Sequence, residues 1–576
     1  MTAQILESTS LVDSALDDLV AGGRRWAALP LQGRRQLLEA LSASVAEQAR
    51  DWVAVAAGYK GLPAGSPLAG EEWLSGPYAL LTALAALTET MRALERGGSP
   101  VDGFPMGTAP GGRVAVNVLP HGVVDHLLLS GFSVQVWMPP GVTEDQVRAA
   151  AGLGQLTPTE SGGVGAVLGA GNVTSIPPLD VLYELFANNR VVALKLNPVT
   201  DPLLPVLRNA FAPLIAAGFL RILTGGADVG QYLVRHRSVD HVHMTGSALT
   251  HDAIVFGDCE QGAARRAAVR DGTAAPLLDR EITSELGGVS PVIVVPGRWS
   301  KADLRFQAEH IATQRLHNGG YNCIAGQVVM LSADWPQRNA FLDELRAALD
   351  RAPARPAYYP GSDRRVAAAR VDYPLAESHG PGGGRLLLTG VGCGQAEKAL
   401  RTEFFAPVLA VVDVPGMGAA FLREAIRTAN DELEGTLGAN VIVHPRTLRA
   451  AGPAFDEALA DLRYGAIAVN AWTAFAFLTA RAPWGAFPGH TIDDVQSGIG
   501  IVHNALLLDS PERSVVRGPF RPAPRALGAG EFTLTPKPAW FVTNRTAATT
   551  TRRMTAFVAR PRWRTLPGIF ASAVRG

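Results

Sequence analysis

Between residues 163 and 247 the chain repeats one pattern: a short apolar run, a turn bearing glycine or asparagine, then a stretch of helical periodicity. The apolar runs are GVGAVLG (163–169), RVVALKLNP (190–198), LRILTGG (220–226) and VDHVHMTGS (239–247). Helices are expected from about Leu179, over 201–217 and from near Val229. Strands alternating with helices imply a parallel, doubly wound sheet, so the fold class is α/β. Such sheets bind ligands at the carboxyl ends of their strands, where AGN, KLNP, TGG and TGS stand here.

The flanks are organised differently. Residues 11–95 read as helices, with Leu38, Leu41, Val45 and Ala49 at helical spacing. A Gly/Pro-rich breaker follows (97–112), then two strands stopped by proline, 113–120 and 133–140. The stretch 249–281 reads as an insertion carrying a helix, and a second α/β segment runs from VSPVIVVP (289–296) to about 470. At 576 residues the chain is long enough for about three domains.

Balanced charge, 52 Lys+Arg against 52 Asp+Glu, argues against a protein devoted to nucleic acid or anionic membranes. Three cysteines, Cys259, Cys323 and Cys393, make no disulfide framework and suit a reducing compartment. No secretory signal or apolar run of about 18 residues is visible, so a cytoplasmic, non-membrane protein is expected. Neither Cys259 nor Cys393 has a Cys or His partner at zinc spacing, and His241 and His243, which should share one strand face, read as packing residues rather than metal ligands, so no metal is expected. The tail from 511 carries twelve Lys/Arg and two Asp/Glu, and is expected to dock on the protein's own body or a neighbouring subunit.

Three segments carry chemistry. In HNGGYNCIAGQVVM (317–330), Cys323 sits among small and amide residues that permit close approach by a substrate. Taken alone it also fits a buried structural cysteine. In ITSELGGVSPVIVV (282–295), Glu285 precedes paired glycines and an apolar strand, and suits either a general base or a solvated loop acid. In GAGNVTSIPPLD (169–180), the Asn172 amide suits an oxyanion donor or an ordinary turn before a helix.

Taken in order, these segments resemble the aldehyde dehydrogenase superfamily over about 160–505. The matching pieces are Asn172, Thr245-Gly246-Ser247, Glu285-Leu286-Gly287-Gly288, Cys323-Ile324-Ala325-Gly326, the segment from Glu403 through Phe405 to Val408, and the strand ending at Asn470. The resemblance implies Cys323 as nucleophile, Asn172 as oxyanion donor and Glu285 as the base that activates water. It implies NAD or NADP bound by Lys195, Gly225, Gly230, Gly246, Ser247, Glu403 and Phe405. It also implies a homo-oligomer and a small-molecule aldehyde substrate. The expected layout is a dinucleotide-binding domain over 1–288, a catalytic α/β domain over 289–475, and a return segment with a basic extension over 476–576. Strands near 113–140 and the return segment would build a small β oligomerisation element.

Departures from the family pattern matter. Ala170-Gly171 stands where a Pro-Trp is usual, and Val289 where a lysine follows Glu-Leu-Gly-Gly. Lys195-Leu196-Asn197-Pro198 lacks the acid that would select against a 2′-phosphate, so NAD and NADP both stay open. AGNVTSIPPLD and LKLNP also resemble acyl-CoA reductases and CoA-acylating aldehyde dehydrogenases, which leaves CoA open as the acyl acceptor. An inactive dehydrogenase-like scaffold or binding subunit is the rival of another class.

Overall fold

The computed structural model describes the backbone of residues 2–394 and 396–576. Two sheets dominate. The first has six strands, in the order Gly498–Ile499, Ile282–Leu286, His241–Gly246, Val164–Leu168, Val191–Lys195, Leu220–Leu223. All pairs are parallel except Gly498–Ile499, which lies antiparallel on Ile282–Leu286. Every residue of Val191–Lys195 is buried, as a strand covered on both faces requires.

The helices on this sheet start and stop where local chemistry dictates. The one expected from about Leu179 begins at Ile176, because Pro177 and Pro178 fit a first turn whose N–H groups have no helical partner. The single helix expected over 201–217 is two, Leu204–Ala210 and Ala212–Ala217. Pro213 at the second start supplies no N–H, and Phe211 between them leaves helical geometry. The insertion holds two helices, Ala248–Val255 and Cys259–Arg270, broken at Gly257, whose φ of +98° favours glycine.

The second sheet has eleven strands. Its parallel centre runs Arg513–Arg517, Ala466–Val469, Gly438–Ile442, Ser290–Val294, Gly326–Ser332, Val408–Val414, Arg385–Val391. The strands anticipated at 113–120 and 133–140 appear as Arg113–Leu119 and Ser133–Trp137 and join this sheet in cis, Ser133–Trp137 pairing with Arg513–Arg517. The breaker at 97–112 carries one further edge strand, Met106–Ala109.

The amino-terminal helix Thr2–Ala28 packs on the six-stranded sheet and Leu31–Tyr59 on the helices beside it, and both share its core: Leu16, Leu19, Trp26, Leu38 and Leu41 join Val192, Leu194 and Phe211. The carboxyl-terminal extension folds back on the body. Its helix Ala547–Ala559 lies against the short helix Ala69–Trp73, close enough that a side chain at Gly70 would meet Ala547 at 2.7 Å. Trp540, Phe541 and Phe557 pack inward while Trp563 stays exposed. Among the described residues no helix is long and apolar enough to cross a membrane.

Candidate active site

The loop that bears Cys323 grows out of the helix Lys301–Leu316 and ends in the strand Gly326–Ser332. Between them Asn318, Gly319 and Gly320 take left-handed backbone in succession, with φ of 54°, 70° and 84°. A side chain at Gly320 would press the Ala406 backbone at 3.0 Å, so this chain reversal has room only for glycine. The reversal brings Cys323, partly exposed, to the wall of a cavity of about 820 Å³.

Glu285 reaches the same cavity from the strand Ile282–Leu286. Its carboxyl is near enough to the Cys323 thiol for each to affect the other's protonation, and the Trp484 Nε1 donates to its Oε1 at 3.4 Å. Burial first, then the negative charge of Asp180, pushes the Glu285 carboxyl up to about 7, against opposing hydrogen bonds from Cys323 and Trp484. Burial, and next the Glu285 charge, holds the Cys323 thiol well above its ordinary value. The proton between them therefore rests on sulfur.

Asn172 follows the strand Val164–Leu168 and lines the cavity beside them. Its side-chain Nδ2 donates to the Tyr321 carbonyl at 2.8 Å, two residues before Cys323. An amide has two N–H donors, so a second is available to an oxygen on Cys323-bound substrate. Thiol, carboxylate and amide, each from a different segment, thus meet around one opening.

The rest of the cavity suits a dinucleotide. Gly169, Gly171, Gly226 and Gly246 line it at strand ends, where absent side chains let a ligand approach the backbone. Lys195, Gly230, Ser247, Glu403 and Phe405 line it as well. Gly225 does not; its neighbour Gly226 does, and Gly225 itself makes the turn, with φ +135° and no space for a side chain beside Val229. Ser247 caps the helix Ala248–Val255, accepting from Thr250 N–H at 3.2 Å, so a helix amino terminus opens into the cavity.

Glu403 provides the most telling fit. Its Oε1 is buried without a hydrogen-bond partner, and burial pushes the carboxyl up to about 8, with the Glu285 charge adding to the rise. A side chain at Gly287 would collide with this carboxylate. A buried carboxylate oxygen without a partner, with glycine held beside it in the cavity wall, is what a ribose hydroxyl would satisfy.

Several lining residues carry no sequence signal. Tyr359 stacks edge-on against Phe405 at 4.9 Å, and Arg365 donates to the Phe405 carbonyl at 3.2 Å. Away from the strand ends, Cys323 and Ile324 abut an aromatic cluster of Trp472, Phe475, Phe477 and Trp484. Tryptophan and phenylalanine there look like ordinary core from sequence; only the fold puts them behind the nucleophile. His241 and His243 do share one face of their strand, but they are tied into a polar network. His243 pairs with Thr283 at 2.9 Å, and Asp180 lies 3.6 Å from His243 and 3.2 Å from His503. Among the described residues no cluster of three or more His, Cys, Asp or Glu is arranged to hold a metal.

A thiol, a carboxylate and an amide on the rim of a cleft lined with strand-end glycines suit one class of enzyme, that of covalent, nucleotide-linked carbonyl chemistry. Comparison with known proteins makes this specific. Residues 149–361 match the family model described as the aldehyde dehydrogenase family. N-succinylglutamate 5-semialdehyde dehydrogenase of Sphingopyxis alaskensis is 27% identical over 361 residues, 59% of this chain and 67% of that one. Lactaldehyde dehydrogenase of Escherichia coli superposes with a TM-score of 0.57 at 18% identity, covering 88% of this chain and 91% of its own. An NADP-dependent glyceraldehyde-3-phosphate dehydrogenase from Bacillus halodurans, complexed with NADP, gives 0.56 at 18%, covering 88% and 91%. Over residues 149–361 the chain is thus similar to the aldehyde dehydrogenase family, and its fold is that of solved aldehyde dehydrogenases.

Proposed function

We propose that this protein oxidises a small-molecule aldehyde to a carboxylic acid with NAD or NADP, through a thioester on Cys323. The observation that carries the reading is the convergence of Cys323, Glu285 and Asn172 on one cleft lined with strand-end glycines.

In the first half, the Cys323 sulfur bonds to the carbonyl carbon and its proton passes to Glu285, the nearest base. The carbonyl oxygen takes up the negative charge and is held by the free N–H of Asn172 and the Cys323 backbone N–H. A nicotinamide ring, when NAD or NADP is bound here, supplies the hydride acceptor. Lys195, Ser247 and Glu403 are the residues proposed to hold the dinucleotide, with Gly230 and Gly246 leaving room for it and Phe405 packing beside it. In the second half, Glu285, having passed its first proton to solvent, takes a proton from water, whose oxygen bonds to the acyl carbon. The carbon–sulfur bond breaks, the acid leaves, and the thiol is restored.

A Glu285 carboxyl poised near neutral pH beside the sulfur favours water over CoA as acyl acceptor. The name of the Sphingopyxis relative points to semialdehydes as a class to include in any screen. A homo-oligomer and a cytoplasmic location, suited to free Cys323 and Cys393, complete the proposal.

The test is an aldehyde panel with NAD⁺ or NADP⁺, with and without CoA, followed at the reduced-nicotinamide absorbance with product identification. Nucleotide reduction that yields a free acid without CoA is expected. Strict dependence on CoA would replace water as acceptor, and no reduction with any aldehyde would leave the scaffold reading standing.

A further inference from the structure

Behind Asn172, on the side away from the cleft, lies a charged cluster buried in the protein. Three of its four charges, Lys60, Glu71 and Glu72, come from the amino-terminal helices, which fall outside the 149–361 family match. Lys60, which ends the helix Leu31–Tyr59, is 1% exposed, and Glu72, on the helix Ala69–Trp73, is fully buried. The Lys60 ammonium has three protons, and each has an acceptor. Glu72 takes one, with Oε2 at 2.9 Å and Oε1 at 3.1 Å; the Asn172 backbone carbonyl, at 2.9 Å, and the Asn318 Oδ1, at 3.2 Å, take the others. One ammonium thus joins an amino-terminal helix, the turn bearing the oxyanion amide and the loop leading to the nucleophile.

The Asn172 carbonyl is gripped further by the Asn318 Nδ2 at 3.1 Å and the Tyr358 hydroxyl at 3.2 Å. With its side chain donating to Tyr321, Asn172 is tied at both ends. Arg355 pairs with Glu71 and Glu72, so the cluster holds two cations and two anions and buries no net charge. Taking an ammonium out of water is costly, and an apolar side chain could fill the same volume at less cost. What the ammonium provides and a methyl cannot is a directed proton on the carbonyl of the oxyanion residue.

We infer that Lys60, held by Glu72, is a positioning residue for the oxyanion site: it fixes the Asn172 backbone so that the free amide N–H meets the developing oxyanion beside Cys323. This rests on the aldehyde dehydrogenase reading of the site.

A double-mutant cycle tests it, with Lys60→Met and Asn172→Ala made singly and together. A residue acting through Asn172 lowers kcat by about 30-fold or more in the wild-type background, but by less than about threefold once the Asn172 amide is gone. The nucleotide Kd, by titration, should stay within about twofold, because Lys60 is remote from the dinucleotide residues. Equal losses in both backgrounds would assign Lys60 a general structural role and overturn the inference, as would an unchanged kcat in the single variant. Should Lys60→Met fold poorly, Lys60→Met with Glu72→Leu removes both members of the ion pair and enters the same cycle. Wild-type protein measured alongside separates the two failures. No wild-type turnover defeats the enzymatic reading, whereas wild-type turnover with additive losses defeats only the role of Lys60.

Discussion

Sulfur and carboxyl at this site hold each other in check. Burial keeps Cys323 protonated, and burial with nearby negative charge lifts Glu285 to about 7. A carboxyl in that range is neutral below pH 7 and charged above it, and only the charged form accepts a proton. Hydrolysis of the thioester is therefore expected to rise with pH through about 7 and then level off. Glu285→Gln should flatten that profile and slow acid release about 10²–10⁴-fold, read as a burst of reduced nucleotide followed by a slow phase. The same shift acts on stability. A carboxyl raised in the fold contributes fully below its unfolded value of 4.5, and that contribution is lost as pH rises through about 7. Glu285→Gln should thus gain in melting temperature relative to wild type at pH 9 more than at pH 5. Cys323→Ala should abolish turnover and leave the nucleotide Kd unchanged; retained turnover would move the nucleophile elsewhere. That Cys323, Glu285 and Asn172 line one cavity was legible because each sits in a short segment whose order along the chain carries information. Lys60, Glu72 and Arg355 were not, because the contacts that tie the Lys60–Glu72 pair to Asn172, Asn318 and Arg355 span 112 to 283 residues and leave no local pattern.

The strand Ile282–Leu286 does double duty as the outer parallel strand of its sheet and the carrier of Glu285. Its other edge is covered by Gly498, paired with Glu285 itself, at a φ of +125° that only glycine adopts freely. A side chain there would collide with the Ser284 carbonyl oxygen and sit 3.2 Å from the Glu285 Cα. Gly498→Ala is expected to cost about 1–3 kcal/mol in stability and, by shifting Glu285, to slow thioester hydrolysis more than its formation. Denaturant unfolding and single-turnover kinetics measure the two effects, and unaltered hydrolysis would mean that Glu285 is positioned from its own strand alone. Parallel strands of this kind were readable as apolar runs, since burial on both faces leaves few polar positions. Gly498 was not, because a two-residue antiparallel strand has too few positions to show any period. The break between Leu204–Ala210 and Ala212–Ala217 was missed for a related reason: continuous apolar periodicity masked Pro213. His241 and His243 were correctly set on one face, yet the acids Asp180 and Glu184 that meet them come from a helix some sixty residues earlier.

At the scale of the whole molecule, the carboxyl-terminal extension and the site are linked through one short helix. Ala547–Ala559 rests on Ala69–Trp73, and the latter delivers Glu71 and Glu72 to the cluster that grips Asn172 and Asn318. The contact is backbone against backbone at Gly70, which a side chain would press to 2.7 Å from Ala547 and 2.9 Å from Ala548. Gly70→Ala must therefore wedge the two helices apart, an overpacking cost of about 1–3 kcal/mol. If the extension served only to cover apolar surface, the variant would melt earlier and keep its kcat. Because the displaced helix carries Glu71 and Glu72, kcat should fall together with the melting temperature, while the nucleotide Kd holds, since Lys195, Ser247 and Glu403 stand on other elements. A larger wedge, Gly70→Val, should deepen the loss in kcat without touching nucleotide affinity. A kcat that stays constant as stability falls would uncouple the extension from the oxyanion residue and confine it to a structural cover.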